Sequence, residues 1–176
     1  FIEIYRALSD CLRTPDDIEL IAREFLAGQA AQNIRYSEVT YTAFNQYHQN
    51  QIPFSDQLAA LNRARLWAEA EFGVLMNLVI DIPRLITADE GLLIADWAIS
   101  GMGDGVIAFG LGGPEIGHPP EKFKAAFDRT RAAGLPSVPH AGETVGPESI
   151  WGALRVLGAD RIGHGVRCLE DPTLVD

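Results

Sequence analysis

Several things are scarce in this sequence, and each scarcity excludes something. Only two of its 176 residues are cysteine, Cys11 and Cys168. They make neither a CxxC pair nor a secreted disulfide framework, so a reducing, cytoplasmic setting is expected. No apolar run approaches the roughly 18 residues of a membrane span, and no basic segment leads into one at the start. Positive charge is in deficit. The formal net charge of -10 argues against nucleic acid and against anionic membrane surfaces as partners. Low-complexity tracts, linkers and charge runs are missing. So are HExxH, a GxSxG elbow, a P-loop lysine, and HxE with PCxxC, which weakens zincin, serine-hydrolase, phosphate-loop and cytidine-deaminase-type readings. The chain opens at Phe1 without an initiator methionine, which reads as a fragment of something longer.

What is present is an alternation of strand-like and helix-like segments. With 47% hydrophobic residues, the chain is long enough for one domain with a sizeable core. Thr14-Pro15-Asp16-Asp17 combines a capping hydroxyl, proline at the first helical position and acids in the first turn. The helix it opens carries Ile18, Ile21, Phe25 and Leu26 on one stripe and runs to about Gln32. Residues 33–42, NIRYSEVTYT, alternate β-branched and aromatic side chains and predict a strand. Residues 43–54, AFNQYHQNQIPF, read as a polar loop bearing aromatics, with Ser55 as the cap of a helix closed by Gly73.

The unit then recurs. A strand over 74–82 precedes a helix from Thr87 to Ile99. A strand over 105–113 precedes a helix from Pro119 to Ala133, ended by Gly134. A strand over 135–142 precedes a helix from Pro147 to Leu157, ended by Gly158. The last strand covers 160–166, and Asp171-Pro172 reads as the cap and first residue of another helix. Trp67, Trp97 and Trp151 fall on helices, where burial against the sheet is expected. Such regular βα alternation implies parallel strands with right-handed crossovers. A doubly wound sheet and a (β/α)8 barrel both satisfy it. A whole barrel needs about 250 residues, so on that reading residues 1–176 form a single, partial barrel domain of about five units.

Candidate chemistry gathers at the predicted strand ends, where parallel α/β folds build their sites. His140 and Glu143 lie in HAGE, with Gly142 letting the backbone turn so that both side chains reach one mouth. A neutral imidazole there can bind a metal, and the carboxylate can shuttle protons. Alternatively, the pair merely hydrogen-bonds its loop. His164 stands between Gly163 and Gly165 at the next strand end, as a second site residue or as a histidine in a tight turn. GLGGPE, at 110–115, offers either exposed backbone at Gly112 and Gly113 for a planar ligand or a turn needing positive φ. Arg84 ends its strand and either contacts substrate or pairs with an acid at the rim. His48 and His118 lie in predicted loops and read as solvated.

Taken together these segments resemble the adenosine/adenine deaminase family of metal-dependent (β/α)8-barrel hydrolases. HAGE is similar to the family's fifth-strand motif, and RIGHG at 161–165 to its sixth. GLGGPE resembles the fourth-strand substrate loop, IRYSEVTYT the second strand, and NLVIDIPR the third. The chain would then hold the second to sixth strands, with the first, seventh and eighth outside it.

The resemblance implies His140 as a zinc ligand, Glu143 as the acid that protonates the purine N1, and His164 as the group that orients and deprotonates the attacking water. It also implies that Gly113 offers its backbone to the purine, and Arg84 is carried as a second substrate-binding residue. One zinc per active site is expected. The family's first-strand HxH metal pair and its last-strand Asp-Asp pair do not occur here. Residues 1–176 alone are therefore expected neither to hold zinc tightly nor to turn over.

The function so implied is hydrolytic deamination of a 6-aminopurine nucleoside, adenosine first and aminodeoxyfutalosine of menaquinone synthesis as the alternative. GGPE and VPHAGET look more like the nucleoside branches than the adenine branch. Phe44, Tyr47 and Phe54 are expected over the ribose side of the pocket. Also carried are another metal-dependent amidohydrolase, a non-catalytic barrel relative and a phosphate-sugar isomerase barrel that needs no metal. The partner implied is a small purine nucleoside, with homo-oligomerisation left open.

Overall fold

The computed structural model describes residues 2–175. Five strands alternate with helices, and their order in the sheet follows the chain, β1 to β5 without reversal. They are β1 (Tyr36–Tyr41), β2 (Leu75–Pro83), β3 (Val106–Gly112), β4 (Ser137–Ala141) and β5 (Gly163–His164). A doubly wound sheet reverses its strand order at a switch point, whereas a (β/α)8 barrel adds strands in sequence. The architecture is thus the barrel type. The chain divides into two compact units, 1–78 and 79–176.

In the first unit, α1 (Ile2–Ser9) precedes α2 (Pro15–Ala31), with β1, α3 (Ala43–Asn50) and α4 (Phe54–Phe72) following. Thr14 and Asp17 form a reciprocal capping box that opens α2 where the sequence indicates. The buried stripe of α2 is Ile18, Ala22 and Leu26, four residues apart, while Ile21 and Phe25 are exposed. The buried stripe thus includes Ala22 and leaves out Ile21 and Phe25, narrower than the sequence indicates.

Two readings change here. Residues 43–50 are helical rather than looped: Ala43, Phe44 and Gln46 are buried, so three side chains anchor a helix whose composition is otherwise polar. Ser55 does not cap α4, whose N-cap is Pro53; instead Gln57 donates to the Ile52 carbonyl at 2.7 Å, and buried Ile52 and Phe54 draw the helix start back. Tyr41 ends β1 with its hydroxyl donating to Gln57 Oε1 at 2.8 Å. Burial pushes that phenol's pKa up.

The second unit holds most of β2, α5 (Ala88–Ser100), β3, α6 (Lys124–Ala132), β4, α7 (Pro147–Val156), β5 and the short α8 (Pro172–Val175). Thr87 caps α5 with Glu90 completing the box. The helix expected from Pro119 begins as a 3-10 turn over Pro120–Phe123 before α6. Ile80, Ile82, Phe109, Leu111 and Phe127 are fully buried, and the Phe109 and Phe127 rings meet at 4.9 Å. Ala141, Ile150 and Ala153 seat α7 against β4.

β5 is only two residues long, not seven. It pairs His140 with Gly163 and Ala141 with His164, and then His164 and Gly165 both take positive φ (64° and 61°), which ends the extended run. The tryptophans are half-buried rather than buried. Trp151 donates to Asp171 at 2.8 Å and lies under the Arg155 guanidinium at 3.9 Å.

Phe109→Ala is expected to cost about 3–5 kcal/mol. In urea titrations the midpoint should fall while the slope stays constant.

Candidate active site

The site is set by strand register. β3 pairs with β4 in parallel, Leu111 opposite Pro139, and β4 pairs with β5 in parallel, His140 opposite Gly163. The C-terminal ends of three neighbouring strands therefore deliver GLGGPE, HAGE and GHG to one edge of the second unit. This is the placement the sequence indicated.

His140 sits against the bare α-carbon of Gly163. A Cβ there would collide with the imidazole Cδ2 and stand 3.2 Å from Nε2. Glycine at 163 is thus what gives the ring its seat. On the ring's other side, a Cβ at Gly112 would lie 2.6 Å from Asp81 Oδ2 and 3.8 Å from His140 Nδ1. The missing side chain at 112 leaves that space to the buried Asp81 and to the ring.

The His140 and His164 rings meet edge to face with centroids 4.8 Å apart. Burial holds the His140 pKa below the ordinary histidine range, helped by the neighbouring His164 and partly countered by Glu143. His140 is therefore neutral, the form in which an imidazole binds a metal. His164 itself adopts φ 64°, an uncommon conformation outside glycine, and such backbone concentrates at functional sites.

Gly142 has φ 71°, and a Cβ there would meet Ile150 Cδ1 at 2.5 Å. The turn it allows brings the Glu143 carboxylate to 3.6 Å from His164 Nε2. Both side chains remain partly open to solvent, 52% and 37% exposed. So the three residues singled out in HAGE and GHG do converge. Gly113 is exposed at φ 91°, leaving its main chain accessible.

Arg84 is placed differently. It is 1% exposed, with Nη2 donating to the His140 carbonyl at 2.6 Å and Nη1 to the His118 carbonyl at 2.8 Å. Its own N–H donates to the Gly112 carbonyl at 2.9 Å. Burial lowers its pKa, against the pull of Glu115 and Glu121. The guanidinium faces inward and braces the strand end that carries His140. In the first unit, Phe44 and Phe54 are buried and Tyr47 is 39% exposed.

Glu115, quoted within GLGGPE but given no role there, is the residue sequence reasoning missed. It is 5% exposed. Its Oε2 accepts the N–H groups of Glu143 (3.1 Å), Thr144 (2.7 Å) and Val145 (2.8 Å), and Oε1 accepts the Ser149 hydroxyl at 2.9 Å. Burial alone would raise this carboxyl. The hydrogen bonds from Val145, Thr144, Ser149 and Gly142 outweigh it and bring the pKa down to about 2. A lone glutamate after a Gly-Gly-Pro turn carries no periodic signal that would have marked it.

Among the described residues no group of three or more His, Cys, Asp or Glu could hold a metal ion. Zinc takes three or four protein ligands. The chemistry of His140 suits one of them, and the described residues do not complete the set. No helix among the described residues is long and apolar enough to cross a membrane.

Comparison with known proteins adds the following. The profile of a family described as adenosine deaminase matches residues 1–176. An aminodeoxyfutalosine deaminase of Streptomyces avermitilis is 45% identical over 99% of this chain and 49% of its own length. An adenine deaminase of Pseudomonas syringae is 36% identical over 99% of this chain and 55% of its own.

Among solved structures, a zinc-bound amidohydrolase from Burkholderia ambifaria superposes with a TM-score of 0.94 at 32% identity, covering 98% of this chain and 48% of that one. The adenine deaminase of Arthrobacter aurescens gives 0.92 at 30% identity, covering 99% and 53%. The chain thus spans about half the length of the curated relatives it matches.

The low pKa of Glu115 makes stability pH-dependent. Folding depresses it from the ordinary 4.5 to about 2, so its contribution is complete above pH 4.5, declines as pH falls below that, and is lost near pH 2. Urea unfolding of wild type and Glu115→Gln should show wild type more stable at pH 7, with the two curves converging between pH 4.5 and 2.

Proposed function

The chain belongs to the adenosine deaminase family, and on that premise we propose that it carries the fourth- to sixth-strand corner of a zinc-dependent hydrolase that removes the 6-amino group of a purine nucleoside. The observation that carries this reading is the convergence of Glu143 on His164 at 3.6 Å beside the neutral His140. Those are an acid, a base and a metal-ligating nitrogen on one strand-end edge.

In this reading His140 supplies one zinc ligand, and the others come from parts of a longer protein. When bound, zinc supplies a hydroxide at neutral pH by lowering the pKa of water. Glu143 protonates the purine N1, which makes C6 electrophilic. His164 orients the attacking water and accepts its proton. Gly113 presents its main chain to the purine. Arg84 contributes from behind, bracing the His140 carbonyl, and so acts on substrate only indirectly. His164 then passes its proton to the 6-amino group, which leaves C6 as ammonia, while the C6 hydroxyl returns a proton to Glu143 as the carbonyl forms.

The substrate we infer is aminodeoxyfutalosine. The 45% and 44% identities to two Streptomyces deaminases of that name support it over the 36% to the adenine deaminase of Pseudomonas syringae. Adenosine is the second reading, supported by the family description and by the GGPE and HAGET segments.

In the full-length protein, rates on aminodeoxyfutalosine, adenosine and adenine should fall in that order of kcat/KM. A preference for adenine would overturn the nucleoside reading, and no activity on any of them would overturn the deaminase reading. Glu143→Gln should lower kcat on the best substrate by about 10²–10⁴-fold with zinc content unchanged. Purified 1–176 should bind less than stoichiometric zinc by metal analysis and show no turnover.

A further inference from the structure

Glu115 lies outside the roles so far given to the reaction, yet it makes more hydrogen bonds to the catalytic turn than any residue named above. We propose that Glu115 is a positioning residue: its carboxylate holds the main chain of residues 143–145 and thereby aims Glu143, tying that turn to the substrate loop at Gly113. This rests on the deaminase reading of the site.

Three successive N–H groups, of Glu143, Thr144 and Val145, point at one oxygen, Glu115 Oε2, at 2.7–3.1 Å. Successive N–H groups converging in this way form a concavity that binds an anion. Here the anion is built into the protein. The Thr144 hydroxyl also reaches Oε2 at 3.2 Å, and the Ser149 hydroxyl fixes Oε1 from the first turn of α7.

The carboxylate is only two residues beyond Gly113, across Pro114, whose ring limits the backbone between them. A displacement of the Gly113 loop is therefore transmitted to the N–H of Glu143 through a short and stiff path. From the opposite side, Arg167 donates to the Thr144 carbonyl at 2.8 Å, and the Arg167 N–H to the Gly142 carbonyl at 3.2 Å. The turn is thus gripped at its N–H groups by the loop after β3 and at its carbonyls by the loop after β5. Of the two grips, only that of Glu115 includes the N–H of Glu143 itself. An error of about 1 Å at an acid or base costs on the order of 10²-fold in rate, which makes such a hold consequential.

The experiment compares Glu115→Ala and Glu115→Gln in the full-length protein. Glutamine keeps one acceptor oxygen for the three N–H groups, loses the charge and turns an NH2 donor toward the Ser149 hydroxyl, so it should fold and lower kcat several-fold, by less than about tenfold. Alanine leaves the concavity empty. Its kcat should fall by about 10²-fold, with KM changed less than kcat and zinc content unchanged. Amide hydrogen exchange at Glu143, Thr144 and Val145 should be slow in wild type, intermediate with glutamine and fast with alanine.

A residue that served stability alone would lower the unfolding midpoint and leave kcat and the split between the two variants unmoved. If Glu115→Ala is folded and retains kcat within about twofold of an active wild type, the proposal is overturned. If Glu115→Ala does not fold, the glutamine variant decides: faster exchange at 143–145 together with a several-fold fall in kcat supports the proposal, whereas exchange equal to wild type, or faster exchange with kcat equal to wild type, overturns it. If wild type deaminates nothing, the catalytic reading fails on its own account, and unchanged exchange at 143–145 in the variants would show that Glu115 does not hold the turn either.

Discussion

The constraint on which this site depends is the parallel pairing that sets His140 opposite Gly163. Parallel strands carry their side chains in fixed register, so one cross-strand pair decides what each strand end presents. With glycine opposite, the imidazole lies over its neighbour strand and meets His164 edge to face. Any larger residue at 163 would evict the ring. The short β5 follows from the same demand: its chain must leave the extended region at once, at His164 and Gly165, to turn His164 back toward Glu143. A two-residue strand is a small element by the usual measures, yet here it fixes the geometry of the strand-end edge.

Charge is handled with similar economy. Like charges repel, yet in this acidic chain Glu115 and Glu143 belong to adjoining segments of the same edge. They are kept in different environments. Glu115 is turned inward and satisfied by main-chain N–H groups, with its negative charge fixed. Glu143 is left half open and faces a histidine. Two chemically identical side chains thus acquire distinct jobs from the groups around them. Arg84, though cationic and buried, balances this by lending its donors to carbonyls rather than to either acid.

Much of this was legible in the residues. Thr14 and Thr87 announced their helices because a capping hydroxyl followed by an acid three positions on is a local signal, independent of the rest of the fold. Glu143 and His164 could be picked out because glycines adjoin them at strand ends, and His140 because it closes its strand three residues before Glu143; the likeness of HAGE and GHG to the family implied their roles. The barrel could not be told from a doubly wound sheet, since spacing carries no information on strand order; the sequential order of β1 to β5 supplied it.

Other features were hidden for reasons that are equally physical. The helix at 43–50 has a polar composition and is held by three buried side chains, so its propensity misled. The inward role of Arg84 depends on carbonyls 34 and 56 residues away, and the role of Glu115 on N–H groups about 30 residues away. Contacts of that kind leave no local trace.

The grip on the 143–145 turn has one more consequence. Glu115 holds Thr144 and Val145 chiefly by their amides, groups that every residue except proline possesses. The hold is therefore largely blind to what side chains stand at 144 and 145. Any residue but proline at 144 or 145 keeps these main-chain hydrogen bonds, at most losing the added hydroxyl contact of Thr144. A turn held in this way can change the side chains it presents while keeping its course.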